Sequence, residues 1–167
     1  AGGENLAVIS PAANDALISG NVDIAMGGIT VLLTLWDKTQ GTMNVRGIAT
    51  MVDSPIFLMT VDPRIKSLKD FGEGDRIAVS AVKVTMQALF LNLAAAREWG
   101  WDARFKLDPL TVSMSHPMSI QALRTGKIEV KSYAAIVPYN YEVLTASNAR
   151  QLMTSYEVLG GAHSLSA

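Results

Sequence analysis

The chain has 167 residues, 49% of them hydrophobic, with 14 basic and 15 acidic side chains and a net charge of −1. That length fits one domain or two small lobes, and the apolar content is enough for a packed core. The near-neutral balance without basic runs excludes a nucleic-acid surface, and the lack of cysteine excludes a disulfide framework, a thiolate nucleophile and any Cys-ligated metal.

No apolar run reaches the ~20 residues a membrane helix needs. In chain order, residues 5–10 (NLAVIS) read as a short strand, Ser10 and Pro11 introduce a helix over 12–19, and Gly20 stops it. A strand over 22–26 leads through Gly27 and Gly28 into a helix over 30–38. There Val31, Leu32, Leu35 and Trp36 form one stripe that the spacing turns toward the core. A polar turn at 40–44 precedes two strands, 45–52 and 56–61, around Asp53-Ser54-Pro55, the second leaving the first lobe. Ser67 caps a short helix over 67–71. A second series then begins: strand 76–80, helix 84–99 closed by Gly100, strand 107–113, helix 117–125 and strand 127–134. In the long helix Met86, Leu89, Phe90, Leu93 and Ala94 repeat at helical spacing. A short helix over 138–144, a strand near 151–155, the loop at Gly160-Gly161 and a return strand over 163–167 complete the chain. Such alternation predicts an α/β architecture with largely parallel pairing and right-handed crossovers.

Candidate binding residues cluster where strands run into helices. Gly27 and Gly28 let the backbone come close to a ligand, and the helix opening at Ile29 and Thr30 offers unpaired N–H groups at its positive end. A tight strand–helix turn uses the same glycines without a ligand. Ser10 is either a helix cap or a contact beside that loop, and Ser54 belongs either to a plain β-turn or to a cleft floor. Ser80, Lys83 and Thr85 lie between a strand and a helix, and Ser113, Ser115 and His116 repeat the arrangement one strand later, ahead of Pro117 at a first helical position. Hydroxyls at successive strand ends suit an oxyanion, and ordinary capping competes as an explanation. Ser113, Ser115 and His116 form no G-x-S-x-G elbow, and neighbours on one loop do not make a triad, so nucleophilic catalysis is not expected of them. His116 and His163 have no metal-ligand spacing, and no cofactor is expected. Arg46, Arg64, Arg76 and Arg124 sit at element ends with no reason to converge on a ligand.

Four stretches carry a resemblance. SGNVDIAMGG leads into an apolar helix ending LWDKT. VRGIATMVDSPIFLMTVDPRIKSLKDF follows, then RIAVSAVKVTMQALFLNLAAAREWG with LDPLTVSMSHP, and finally SYEVLGGAHS. Their order and spacing resemble the extracytoplasmic solute-binding proteins of ABC importers, of the nitrate/sulfonate/taurine type. The resemblance implies a type II periplasmic-binding-protein fold: two α/β lobes joined by crossover strands, with the first lobe incomplete here. Lobe one would be 1–60, lobe two 61–155, and 156–167 would lead back. It also implies a fragment of a longer protein, whose absent opening strand would lie between strands 5–10 and 22–26. Tyr133 falls in a segment (YAAIVPY) where resembling proteins touch ligand, although only Ala135 and Pro138 match their pattern. The function implied is capture of a small anionic solute, sulfonate- or nitrate-like, outside the cytoplasmic membrane. Delivery would be to ABC permease membrane subunits, by a periplasmic or membrane-tethered monomer without nucleic-acid partners. Two alternatives stand on similar folds: an enzyme of the thiamine-pyrimidine or menaquinone-pathway kind, and the effector domain of a LysR-type regulator.

Overall fold

The computed structural model describes residues 6–7, 11–126, 129–146 and 148–166. It divides into two units, Ala1–Asp53 with Ser164–Ala167, and Ser54–His163.

In the first unit, β1 (Leu6–Ala7) runs parallel to β2 (Ile24–Ala25), with Leu6 opposite Ile24. The family resemblance implies an absent strand between these two. They pair directly instead, because main-chain groups with nothing interposed satisfy one another. Between them α1 (Pro11–Ile18) ends at Gly20, whose φ of +73° is the left-handed conformation a helix stop requires. Its N–H donates to Leu17 O at 3.2 Å and that of Asn21 to Ala16 O at 2.9 Å. Helix α2 (Ile29–Thr39) follows β2. Its stripe is less buried than the periodicity predicts: Leu35 is buried, Val31 and Leu32 are half-buried, and Trp36 is 51% exposed. The expected strand over 45–52 shrinks to β3 (Val52–Asp53), which pairs antiparallel with β9 (Ser164–Ser166). Residues 45–50 include the β-formers Val45, Ile48 and Thr50 but belong to no strand pair among the described residues. Gly47 instead brings the loop so close to α2 that a Cβ there would lie 2.8 Å from Leu32 Cδ2.

The second unit is built on a five-stranded sheet in the order β6 (Thr111–Ser113), β5 (Arg76–Val79), β7 (Val130–Ala135), β4 (Phe57–Thr60), β8 (Arg150–Thr154). Strand β5 is parallel to both neighbours, whereas β4 is antiparallel to both β7 and β8. The largely parallel pairing expected from alternation therefore holds on one side of the sheet only, because β4 enters from the first unit with no crossover helix before it. Its central strands are buried over most of their length, which is why they read as continuous apolar runs (IAV, FLM) and not as alternation.

Helix α3 (Met86–Trp99) buries Phe90, Leu91, Ala94 and Ala95 and leaves Leu89 at the surface. Helix α4 (His116–Thr125) ends on left-handed Gly126, φ +60°, and contributes Ile120, Ala122 and Leu123 to a core with Met59, Ala78, Tyr133 and Val143. Helix α5 (Tyr139–Ala146) follows a cis Val137–Pro138 bond. A helix unforeseen in sequence, α6 (Ser155–Leu159), follows β8. Its signature was present in Thr154-Ser155-Tyr156-Glu157. Thr154 Oγ1 accepts from Glu157 N–H at 3.2 Å, and Glu157 Oε2 accepts from the Thr154 hydroxyl at 2.9 Å. The short helix expected at 67–71 is a 3₁₀ turn, Leu68–Asp70, held by the Asp70 carboxylate on the Lys66 and Ser67 amides. No helix among the described residues is long and apolar enough to cross a membrane.

Candidate functional site

Ser80 and Ser113 stand at the C-terminal edge of the parallel half of the second unit's sheet, because Val79 of β5 is in register with Ser113 of β6. Both are exposed. The Ser80 hydroxyl donates to Gln87 Oε1 at 2.6 Å, and Gln87 Nε2 donates to Ala134 O at 3.2 Å, so one buried glutamine ties the end of β5 to β7. Ser113 Oγ accepts the Val82 N–H at 3.1 Å, anchoring the loop from β5 to α3. In that loop exposed Lys83 has φ +68°. Thr85 is the N-cap of α3: its Oγ1 accepts from Ala88 N–H at 3.4 Å and its hydroxyl donates to Ala81 O at 2.9 Å. That side chain is therefore committed to the helix end.

Ser115 caps α4 through its carbonyl and exposes its hydroxyl. Beside it, His116 Nδ1 is hydrogen-bonded to Tyr133 Oη, and the imidazole stacks on Tyr139 at 4.4 Å between centroids and 14° between planes. Burial lowers the His116 pKa and favours the neutral ring. Burial, with the nearby Glu142 carboxylate adding to it, raises that of Tyr133, so its phenol keeps its proton. Tyr133 is fully buried, so it holds the histidine and offers no open face of its own. Ser54 is also buried, its hydroxyl 3.4 Å from Pro55 O, as a turn residue.

In the first unit, Gly28 is the N-cap of α2 with extended backbone (φ −67°, ψ 150°). A Cβ on Gly27 would meet Val31 Cγ1 at 3.6 Å, and one on Gly28 would meet Leu165 O at 3.8 Å. Both are ordinary contacts, so neither backbone angle nor internal crowding demands glycine there. Ile29 and Thr30 form the first turn of α2, and Thr30 O accepts the Thr34 hydroxyl at 2.9 Å. An apolar pocket of about 470 Å³ opens nearby, lined by Ile24, Met26, Gly27, Val31, Leu32, Arg46 and Met51 among others. Ser10 lies outside the described residues.

Two residues that matter here were not singled out from sequence. Gln87 was detectable as a lone amide between Met86 and the apolar positions Ala88, Phe90 and Leu91. Tyr139 was masked by its place beside Pro138, where it reads as a helix start. No group of three or more His, Asp or Glu side chains able to hold a metal occurs among the described residues.

No protein-family model matches the sequence, and no curated protein matches it either. Among solved structures, the fold is that of the periplasmic binding proteins. The periplasmic aliphatic sulphonate binding protein SsuA from Escherichia coli is 18% identical, with a TM-score of 0.59 over 91% of this chain and 49% of its own. The alkanesulfonate-binding protein SsuA from Xanthomonas axonopodis pv. citri, bound to MOPS, is 19% identical, with a TM-score of 0.54 over 92% and 50%. The ligand binding component of an ABC-type import system from Staphylococcus aureus, with zinc bound, is 18% identical, with a TM-score of 0.60 over 94% and 52%. The chain thus spans about half the length of each and shares part of their α/β fold.

Proposed function

We propose that this chain captures a small anionic solute, sulfonate-like, outside the cytoplasmic membrane and delivers it to the membrane subunits of an ABC importer. The observation that carries the reading is the likeness of fold, over 91% of the chain, to an aliphatic sulphonate binding protein. The two units are proposed as the two lobes and the solute site as the cleft between them. Their boundaries are the crossings at 53/54 and 163/164.

The chemistry of the second unit supports an oxyanion. Exposed hydroxyls at Ser113 and Ser115 donate to sulfonate oxygens, Lys83 supplies a positive charge, and Ser80, whose proton is held by Gln87, is proposed as a support at the end of its strand. A phenol that donates to His116 Nδ1 leaves the ring hydrogen on Nε2, a further neutral donor. From the first unit, Gly27, Gly28, Ile29 and Thr30 present the N-terminus of an 11-residue helix. Thr85, Ser54 and Tyr133 are proposed as supports for these groups. The mechanism is binding without bond chemistry: the lobes close, and fixed donors replace the solute's water.

Titration calorimetry of the full chain with hexanesulfonate tests the reading. Saturable one-to-one heat, weakened in Ser115→Ala and Lys83→Ala, supports it. Heat of dilution alone from folded protein contradicts it.

A further inference from the structure

The chain passes between the units twice, and each passage is tied to the other on both sides. In the first unit β3 and β9 pair, with Val52 opposite Ser166 and Asp53 opposite Ser164, and Met51 N–H donates to Ser166 O at 3.0 Å. In the second unit, Ile56 N–H donates to Ser155 Oγ at 2.8 Å, and Ser155 N–H donates back to Ile56 O at 2.8 Å. The same Ser155 Oγ lies 2.6 Å from Nε2 of His163, the last residue before the chain returns to the first unit. The edge of one ring meets the face of the other where His163 packs on Tyr156, 5.2 Å apart at 84°.

A serine beside a histidine suggests a nucleophile, but Ser155 is only 1% exposed and its oxygen is occupied by Ile56. The arrangement is mechanical. A buried hydroxyl with two partners is costly to disconnect, since the amide of Ile56, itself fully buried, is left without a bond and without water.

We propose that Ser155 and His163 are a fastener that holds the outgoing strand at Ile56 and the returning strand at Ser164 in fixed register, so that the two passages bend as one. Two independent strands would let the lobes adopt many orientations, each to be given up on closure. A tied pair leaves one bending direction and lowers that entropic cost. His163 is then a positioning residue for solute binding, acting without touching the solute. Its effect on binding rests on the proposed function; the fastening does not.

Amide hydrogen exchange on the full chain decides the fastening. His163→Leu removes the ring nitrogen that bonds Ser155 at similar size, and His163→Gln restores a polar amide near the place of Nε2. Exchange at 51–53 and 164–166 is expected to rise roughly tenfold or more in the leucine variant and to return in the glutamine variant, with α3 unchanged. No rise, or an equal rise throughout the second unit, overturns it. Hexanesulfonate titration of the same proteins reads the consequence. If the wild type binds, His163→Leu is expected to weaken binding about tenfold and His163→Gln to restore it; equal affinities overturn the positioning role. A wild type that does not bind contradicts the proposed function, while the exchange result still decides the fastener.

Discussion

Gln87 receives the Ser80 hydroxyl at 2.6 Å and gives its amide to the Ala134 carbonyl at 3.2 Å, while its own side chain is only 4% exposed. One side chain of α3 thereby fixes the end of β5 relative to β7. Replacing it with leucine keeps the volume and strands both partners. The Ser80 hydroxyl is exposed and can turn to water, whereas the Ala134 carbonyl belongs to a fully buried residue. Gln87→Leu is expected to cost about 1–3 kcal/mol, read as a lower urea midpoint at unchanged slope. Ser80→Ala should cost less.

His116 makes the stability of the second unit depend on pH. Burial places its folded pKa below the ordinary value of 6.5, so below that value the unfolded chain binds more protons than the folded one. Stability present above pH 6.5 is lost as pH falls toward and through the folded pKa. Urea unfolding at a series of pH values should show this decline, and His116→Gln should flatten it. An equal slope in that variant would assign the effect elsewhere.

Asp62 governs a lower range. Its buried carboxylate accepts from Arg64 N–H and from the Arg64 guanidinium, both at 2.9 Å, with Lys131 Nζ at 3.6 Å. The backbone bond from Arg64 is the main cause that holds its pKa below 3.8, against burial, which raises it. The stability it contributes is complete above pH 3.8 and is lost as pH falls further through the folded pKa. Asp62→Asn should remove that acid-side loss while lowering stability at pH 7.

Helix α6 depends on its cap. Thr154→Ala removes the acceptor for the Glu157 amide and the donor to its carboxylate, and is expected to cost about 0.5–2 kcal/mol. Thr154→Ser should recover most of it in the same chemical denaturation.

The two units should differ in local stability. Ala13 and Leu35 are the buried hydrophobics of the first unit among the described residues, while Trp36, Ile48 and Met51 are exposed. The second unit buries Ile56, Leu58, Met59, Ile77, Val79, Leu91 and Val143 completely. Amides of α1 and α2 are therefore expected to exchange faster than those of α3 and β5. Equal protection would mean that the first unit's apolar surface is covered in solution.

Much of the second unit was legible in sequence because local signals agree with its packing. Gly100 ends a helix, and continuous apolar runs mark β4 and β5. Strand direction was not legible: hydrophobic period is the same for a parallel and an antiparallel strand, so β4 gave no hint of its reversal. In the first unit, periodicity promised burial that Trp36 does not find, since a stripe shows which side is apolar and not whether anything packs on it. Candidate binding residues were read from strand-end hydroxyls. The structure separates them by what each already holds: Thr85 its helix end, Ser113 an amide of the next loop, and Ser115 an exposed hydroxyl. His116's partners came from Tyr133 and Tyr139, 17 and 23 positions along the chain, where spacing says nothing.

The most direct test is a thermal-unfolding comparison of the full chain with hexanesulfonate, hexanoate and hexyltrimethylammonium at the same high concentrations. A ligand held only by the folded state at ~100 times its dissociation constant adds about 2.7 kcal/mol. The account predicts a clear rise in melting temperature with hexanesulfonate and none with the cation. A rise with the cation alone, or none with any of the three, would contradict it.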